Sequence, residues 1–169
     1  DMRSSGFAGI NVGRTKTGKT TVSKYLISEL SENEKENLYV YDVNREYTNI
    51  YPEPFIPFDE YMISVKDVSN SFLLFEEATI FFNVKATNKE LTDMLVRKRH
   101  TNNIIYLNFH SISYIPKYVF NLVDYVTIFK TNDTLETVKK KYDAPKFLKA
   151  FEQVQKDKNQ FARITVNLY

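Results

Sequence analysis

The chain has no cysteine and no tryptophan, and only four glycines and five prolines in 169 residues. Without cysteine there is no disulfide framework and no thiolate metal site. No apolar run approaches the roughly 18 residues a membrane helix needs, and Asp1-Met2-Arg3-Ser4-Ser5 lacks a signal-peptide core. A cytoplasmic protein is therefore expected. The formal net charge of +2 is too small to argue for a polyanionic partner by itself. Internal repeats and long linkers are absent. The length suits one domain over residues 1–169, large enough for a two-sided α/β core, with residues 1–5 as a flexible N-terminal extension.

Against this scarcity of glycine, two of the four stand in Gly13-Arg14-Thr15-Lys16-Thr17-Gly18-Lys19-Thr20. The segment fits G-x-x-x-x-G-K-[ST], the Walker A phosphate loop, at every fixed position. With average residue usage, a chance match is expected about once in a hundred chains of this length. The flanks agree: the apolar run Phe7–Val12 precedes the loop, and a helical pattern from Thr20 to Ile27 follows it. Strand, loop and helix are the setting such a loop requires. Its successive N–H groups, Thr21 at the following helix turn included, make an anion site reinforced by the helix dipole. Lys19 would reach the β- and γ-phosphates of ATP, and the Thr20 hydroxyl would ligate Mg²⁺.

Apolar runs alternate with helical stretches, which predicts a mostly parallel sheet with helices on both faces. Strands are expected at 7–12, 38–41, 71–75, 104–109 and 125–129, with a last strand at 162–168. Helices are expected from Gly18 to near Leu30, from 88 to 99, 134 to 142 and 145 to 155, with a short one at 116–122. Asp59 is the expected cap of a further helix reaching Val65. Phe72–Phe75 followed by Glu76-Glu77-Ala78 reads as a Walker B segment, an apolar strand ending in two acids at the carboxyl edge of the sheet. Glu76 would hold Mg²⁺, directly or through water. Glu77 would polarise the attacking water as general base.

His110 closes the fourth strand, where it either senses the γ-phosphate or is an ordinary hydrogen-bonding histidine. Arg97, Lys98 and Arg99 end the preceding helix; they either complement its dipole or supply an arginine finger, in trans from a neighbouring copy. Phe81–Lys89 is a candidate polymer-contacting loop through Lys85 and Lys89, with buried phenylalanines as the plainer alternative. Lys139-Lys140-Lys141 reads as a solvated helix face. Lys130-Thr131-Asn132-Asp133 does not fit the N-K-x-D of GTPases, and neither D-x-x-G nor a transporter-type L-S-G-G-Q occurs. A small-molecule P-loop kinase, with the arginine cluster as lid, and a non-enzymatic nucleotide switch or assembly protein remain as alternatives.

Several segments, in order, resemble the FtsK/HerA superfamily, and within it the compact viral genome-packaging ATPases. Tyr41-Asp42-Val43-Asn44-Arg45-Glu46-Tyr47 resembles its D-x-x-x-E-Y turn, and Phe58-Asp59-Glu60-Tyr61 the aromatic–acidic helix start that follows. Glu76-Glu77-Ala78 resembles D-E-A. Arg99-His100-Thr101-Asn102-Asn103 resembles the approach to the sensor strand, and His110 with Ile115-Pro116 that strand's exit. Glu76 stands where aspartate is usual, and His110 where glutamine is usual. The resemblance implies a RecA-like fold with sheet order 5-1-4-3-2, and a ring, commonly hexameric, that hydrolyses ATP with Mg²⁺ to translocate double-stranded DNA. It also implies capsid or portal-vertex partners and a location in the host cytoplasm or at the virion.

Overall fold

Four consecutive strands are apolar on nearly every residue, as strands covered on both faces must be. In a computed structural model, which describes residues 5–82 and 89–169, these are β1 (Phe7–Val12), β2 (Leu38–Tyr41), β3 (Phe72–Phe75) and β4 (Ile104–Phe109). With β5 (Tyr125–Ile128) and β6 (Ile164–Asn167) they form one sheet in the order β2-β3-β4-β1-β5-β6. The expected 5-1-4-3-2 order is present and wholly parallel, and β6 extends it as an antiparallel edge strand beside β5.

The pleat sorts side chains by alternation into two cores. Ile10, Val12, Leu73, Phe75, Leu107 and Phe109 join the larger one, with residues of α3 (Phe58–Val65), α4 (Lys89–Thr101), α5 (Leu135–Lys141) and α6 (Pro145–Lys156). Leu38, Val40, Phe72 and Leu74 point the other way, toward Ile27 of α1 (Lys19–Ser28). Lys19, Ser23 and Ile27, four apart, are the buried stripe of α1. The first of them carries charge into the sheet's carboxyl edge; the last is core.

Three local expectations change. The polar stretch after α1 contains a one-turn helix, α2 (Glu32–Lys35), closed by a capping box between Ser31 and Glu34. Asp59 does not cap α3; Pro57 holds the cap position and Asp59 sits inside the first turn, where its charge still suits the dipole. The short helix after β4 is 3₁₀, over Lys117–Asn121. Among the described residues no helix is long and apolar enough to cross a membrane.

Candidate nucleotide site

The phosphate loop leaves β1 at the carboxyl edge and is pinned from both sides. Gly13 N–H donates to Phe109 O (3.0 Å) and Arg14 N–H to Lys130 O (2.8 Å), tying it to the ends of β4 and β5. A Cβ on Gly13 would lie 2.5 Å from the Cβ of Phe129, so only glycine fits between these strands. Gly18 caps α1 at φ 100°, a left-handed conformation open to glycine at little cost. Inside the loop Thr17 Oγ1 donates to Arg14 O at 2.8 Å. The Lys19 ammonium is buried and donates to Gly13 O and to Arg14 O, the latter at 3.0 Å. Burial lowers the Lys19 pKa, and the nearby carboxylates of Glu76, Glu77 and Glu46 oppose that shift.

The two acids after β3 have different surroundings. Glu76 is buried at 4% exposure, and its Oε2 accepts from Tyr47 Oη and Asn108 Nδ2, both at 2.8 Å. Burial raises the Glu76 pKa above the usual carboxylate value, while these two donors pull it down. Asn108 Nδ2 also reaches Ser23 Oγ at 3.1 Å, and its Oδ1 accepts from Asn11, its partner in the β1–β4 register, at 2.9 Å. One polar network thus joins α1, β1, β3 and β4 beneath the loop. Glu77 is half-buried, with its backbone left-handed at φ 55°, ψ 48°. A non-glycine residue there is a strained position of the kind that gathers at functional sites. Its Oε1 meets His110 Nε2 at 2.5 Å and Asn44 Nδ2 at 3.4 Å.

The turn after β2 supplies the remaining wall. Asp42 accepts the Glu46 and Tyr47 N–H groups at 2.8 and 2.9 Å, folding the turn back toward α1. Glu46 then accepts from Thr20 Oγ1 at 3.1 Å, and Tyr47 is delivered to Glu76. The resulting cleft, about 580 Å³, is open to solvent and lined by Thr15, Lys16, Gly18, Lys19, Thr20, Thr21, Asn44, Glu46, Glu76, Glu77, His110, Gln160 and Phe161. A second groove, against β2 and the Pro52–Ile56 segment, holds none of the predicted site residues.

The structure therefore brings Lys19, Thr20, Glu76, Glu77 and His110 to one cleft. Arg14, Thr15 and Lys16 are exposed on the loop, and Arg14 Nη1 reaches Asn132 Oδ1 at 3.4 Å. Arg97 and Arg99 lie elsewhere. Arg97 donates to Lys66 O at 3.4 Å; Arg99 pairs with Asp124 at 3.3 Å beside the start of β5. That is the opposite edge of the sheet, about 20 Å away at 3.3 Å per strand residue. Phe81 and Phe82 are buried, so they join the core rather than a contact loop. Lys85 lies outside the described residues. Lys139 and Lys140 are exposed, the latter paired with Glu136, whereas Lys141 is half-buried and donates to Ile115 O at 3.2 Å, so the solvated face does not extend to Lys141. Sequence reasoning assigned no role to Asn44, Glu46, Tyr47, Asn108, Gln160 or Phe161. The D-x-x-x-E-Y turn was the available signal for three of them. An asparagine in the middle of an apolar strand was the signal for Asn108.

The Thr20 hydroxyl, bonded to Glu46, and the carboxylate of Glu76 offer oxygen ligands to this cleft. Oxygen ligands with one or two carboxylates fit Mg²⁺, whose other positions go to phosphates and water. Among the described residues no cluster of three or more histidine, aspartate or glutamate side chains forms a metal cage.

A parallel sheet, a glycine-bounded loop at the N-terminus of its first helix and two acids closing the third strand define the P-loop NTPase fold. Solved structures agree. The genome packaging NTPase B204 from Sulfolobus turreted icosahedral virus 2, in complex with ATP-gammaS, superposes with a TM-score of 0.75 at 21% identity, over 96% of this chain and 92% of that one. Its complex with AMP gives 0.77 at 19%, covering 96% and 93%. The N-terminal domain of zonular occludens toxin from Neisseria meningitidis gives 0.55 at 13%, covering 76% and 78%. The family profile described as Zonular occludens toxin (Zot) matches residues 44–169, and the chain belongs to that family. No curated protein sequence matches it.

Proposed function

We propose that this protein is an ATP-hydrolysing motor of the FtsK/HerA type that moves double-stranded DNA, most simply during viral genome packaging. The observation that carries hydrolysis is Glu77, a strained, tethered carboxylate facing the same cleft as Lys19 and Thr20. In this reading Lys19 and the loop N–H groups hold the β- and γ-phosphates. Glu77 takes a proton from water as its oxygen attacks the γ-phosphorus, and the bond to the β–γ bridging oxygen breaks to leave ADP. Mg²⁺, held through Thr20 and Glu76, would neutralise charge on the β and γ oxygens. His110 orients Glu77. Arg97 or Arg99 enters from a neighbouring copy, which is why the proposed working form is a ring, probed by mixing subunits. The DNA step is supported by likeness to a genome packaging NTPase over nearly the full length of both chains; capsid or portal proteins would be its further partners.

A second reading, a nucleotide switch in virion assembly that binds ATP with negligible turnover, is favoured by the distance of both arginines from their own cleft. A kinase lid in the same chain loses its motivation for the same reason. ATPase rate against protein concentration, with and without duplex DNA, separates the two remaining readings. A motor gains specific activity on assembly and on DNA. A switch stays flat, and a flat response with no DNA binding at low salt overturns the motor.

A further inference from the structure

Phe161 is half exposed at 50%, and among the described residues its ring stacks on no other aromatic side chain. It lies in the connection between α6 and β6, more than 130 residues from the phosphate loop in sequence, yet it lines the same cleft. Its Cδ1 is 3.6 Å from where a Gly18 Cβ would stand, so the ring edge borders the first turn of α1.

The backbone that carries the ring is held in place. Phe161 N–H donates to Asn159 Oδ1 (2.9 Å), and Asn159 N–H to Asp157 Oδ1 (2.8 Å). Asp157 O and Gln155 O accept from the buried Lys130 ammonium just after β5. Gln155 in turn accepts from Thr131 N–H at 3.0 Å and donates to Phe129 O at 3.2 Å. The segment is thereby fixed to the strand that also pins the phosphate loop. Singly exposed apolar side chains are common, but this one stands in the nucleotide cleft, where its face is free to stack on a planar partner.

Glu77 and His110 are hydrogen-bonded to each other where a γ-phosphate would react, while Phe161 lines the same cleft beside Gly18. A triphosphate laid along the loop, with its γ end toward Glu77, leaves its nucleoside beside Gly18 and Phe161.

We propose that Phe161 is the nucleobase platform of this site, its ring face stacking on the base of a nucleoside triphosphate whose phosphates lie in the Gly13–Thr20 loop. The proposal rests on the nucleotide-binding reading above. A ring reads the face of a base and not its edge, so it favours nucleotides over inorganic polyphosphate without choosing strongly among bases.

The chain's lack of tryptophan makes the test direct. Phe161→Trp introduces a single tryptophan; it should keep ATP affinity, and its fluorescence should be quenched by ATP but not by inorganic tripolyphosphate. Phe161→Ala should weaken ATP binding by roughly 5- to 30-fold while changing tripolyphosphate binding less than about twofold. Phe161→Leu, which keeps bulk against Gly18 but has no π face, should behave like the alanine variant. Unchanged ATP affinity in Phe161→Ala overturns the proposal. Wild-type affinity in Phe161→Leu overturns it too, as does equal loss of ATP and tripolyphosphate, since the ring would then only pack the loop. If the unmodified chain binds tripolyphosphate but gains nothing from the nucleoside, the platform fails alone; if it binds neither ligand, the nucleotide reading fails with it.

Discussion

His110 Nε2 lies 2.5 Å from Glu77 Oε1, and the two residues come from the ends of adjacent strands, β4 and β3. Asn44 reaches the same oxygen from the turn after β2. With the left-handed backbone at Glu77, these contacts fix one carboxylate at the mouth of the cleft. Such a conformation costs about 1–3 kcal/mol and persists only where its surroundings hold it.

Glu77→Gln keeps the shape and can still hydrogen-bond His110 and Asn44, but it cannot accept a proton from water. ATP affinity should change by less than about threefold, while steady-state hydrolysis falls by roughly 100- to 10,000-fold, the range of general-base catalysis. Equilibrium binding beside phosphate release checks both. Full turnover by this variant removes the general-base assignment.

Glu76 sets function against stability. Burial raises its folded-state pKa above the ordinary 4.5. Between 4.5 and that raised value the native state holds more protons than the unfolded one, so stability falls as pH rises through the window. Above it the full cost of a buried carboxylate remains. Glu76→Gln removes the cost, and its amide oxygen can still accept from Tyr47 and Asn108. At neutral pH the variant, free of nucleotide, should melt at the same temperature as the parent or higher, and the difference should vanish below about pH 4.5. Its Mg²⁺-dependent hydrolysis should fall about 100-fold, ~2.7 kcal/mol of transition-state stabilisation. Melting curves across pH, paired with turnover, test both halves; a variant less stable than the parent at neutral pH contradicts the first.

The strands were readable because buried parallel strands are continuous apolar runs, and β2 and β4 fall where those runs end. Both halves of the site followed, since a loop after the first strand and acids after the third must meet at the carboxyl edge of such a sheet. The remaining wall was not readable, because it depends on contacts far apart in sequence. Nothing local says that Tyr47 will meet Glu76 29 residues later, or that Phe161 will return to Gly18. The placement of Arg97 and Arg99 was implicit in topology: a helix leading into a parallel strand ends at the edge where that strand begins, opposite the site. The Ser31–Glu34 box was also present in sequence, masked by the polarity of a one-turn helix with no buried face.

Lys19 donates to the carbonyls of Gly13 and Arg14 from a buried position, so its ammonium already sits at the floor of the loop. Lys19→Ala removes charge-assisted bonds to the phosphates. Affinity for ATP should fall by about 2–4 kcal/mol, roughly 30- to 1,000-fold, and far less for a nucleoside without phosphates. Calorimetric titration of both ligands separates loss of phosphate binding from a general collapse of the cleft.

Arg99 pairs with Asp124 while its own side chain is 62% exposed. Asp124 is buried, but it keeps the Ala8 N–H at 2.8 Å and the Lys98 ammonium at 3.6 Å when Arg99 is truncated, so Arg99→Ala should leave the fold intact. Among the described residues the Arg97 side chain makes one long hydrogen bond, to Lys66 O, so Arg97→Ala should leave the fold intact as well. If either arginine completes a neighbour's site, its alanine variant should lose turnover by roughly 1,000-fold, the scale of an arginine finger, with ATP binding kept. Mixing that variant with Glu77→Gln restores activity only across subunits: a subunit with an intact Glu77 receives the arginine of a neighbour whose own Glu77 is replaced. Activity of the mixture well above either variant alone, rising with protein concentration, is the expected outcome. Loss of turnover without rescue at any ratio would place the arginine's effect inside its own subunit, and unchanged turnover would return both arginines to a structural part at the helix end.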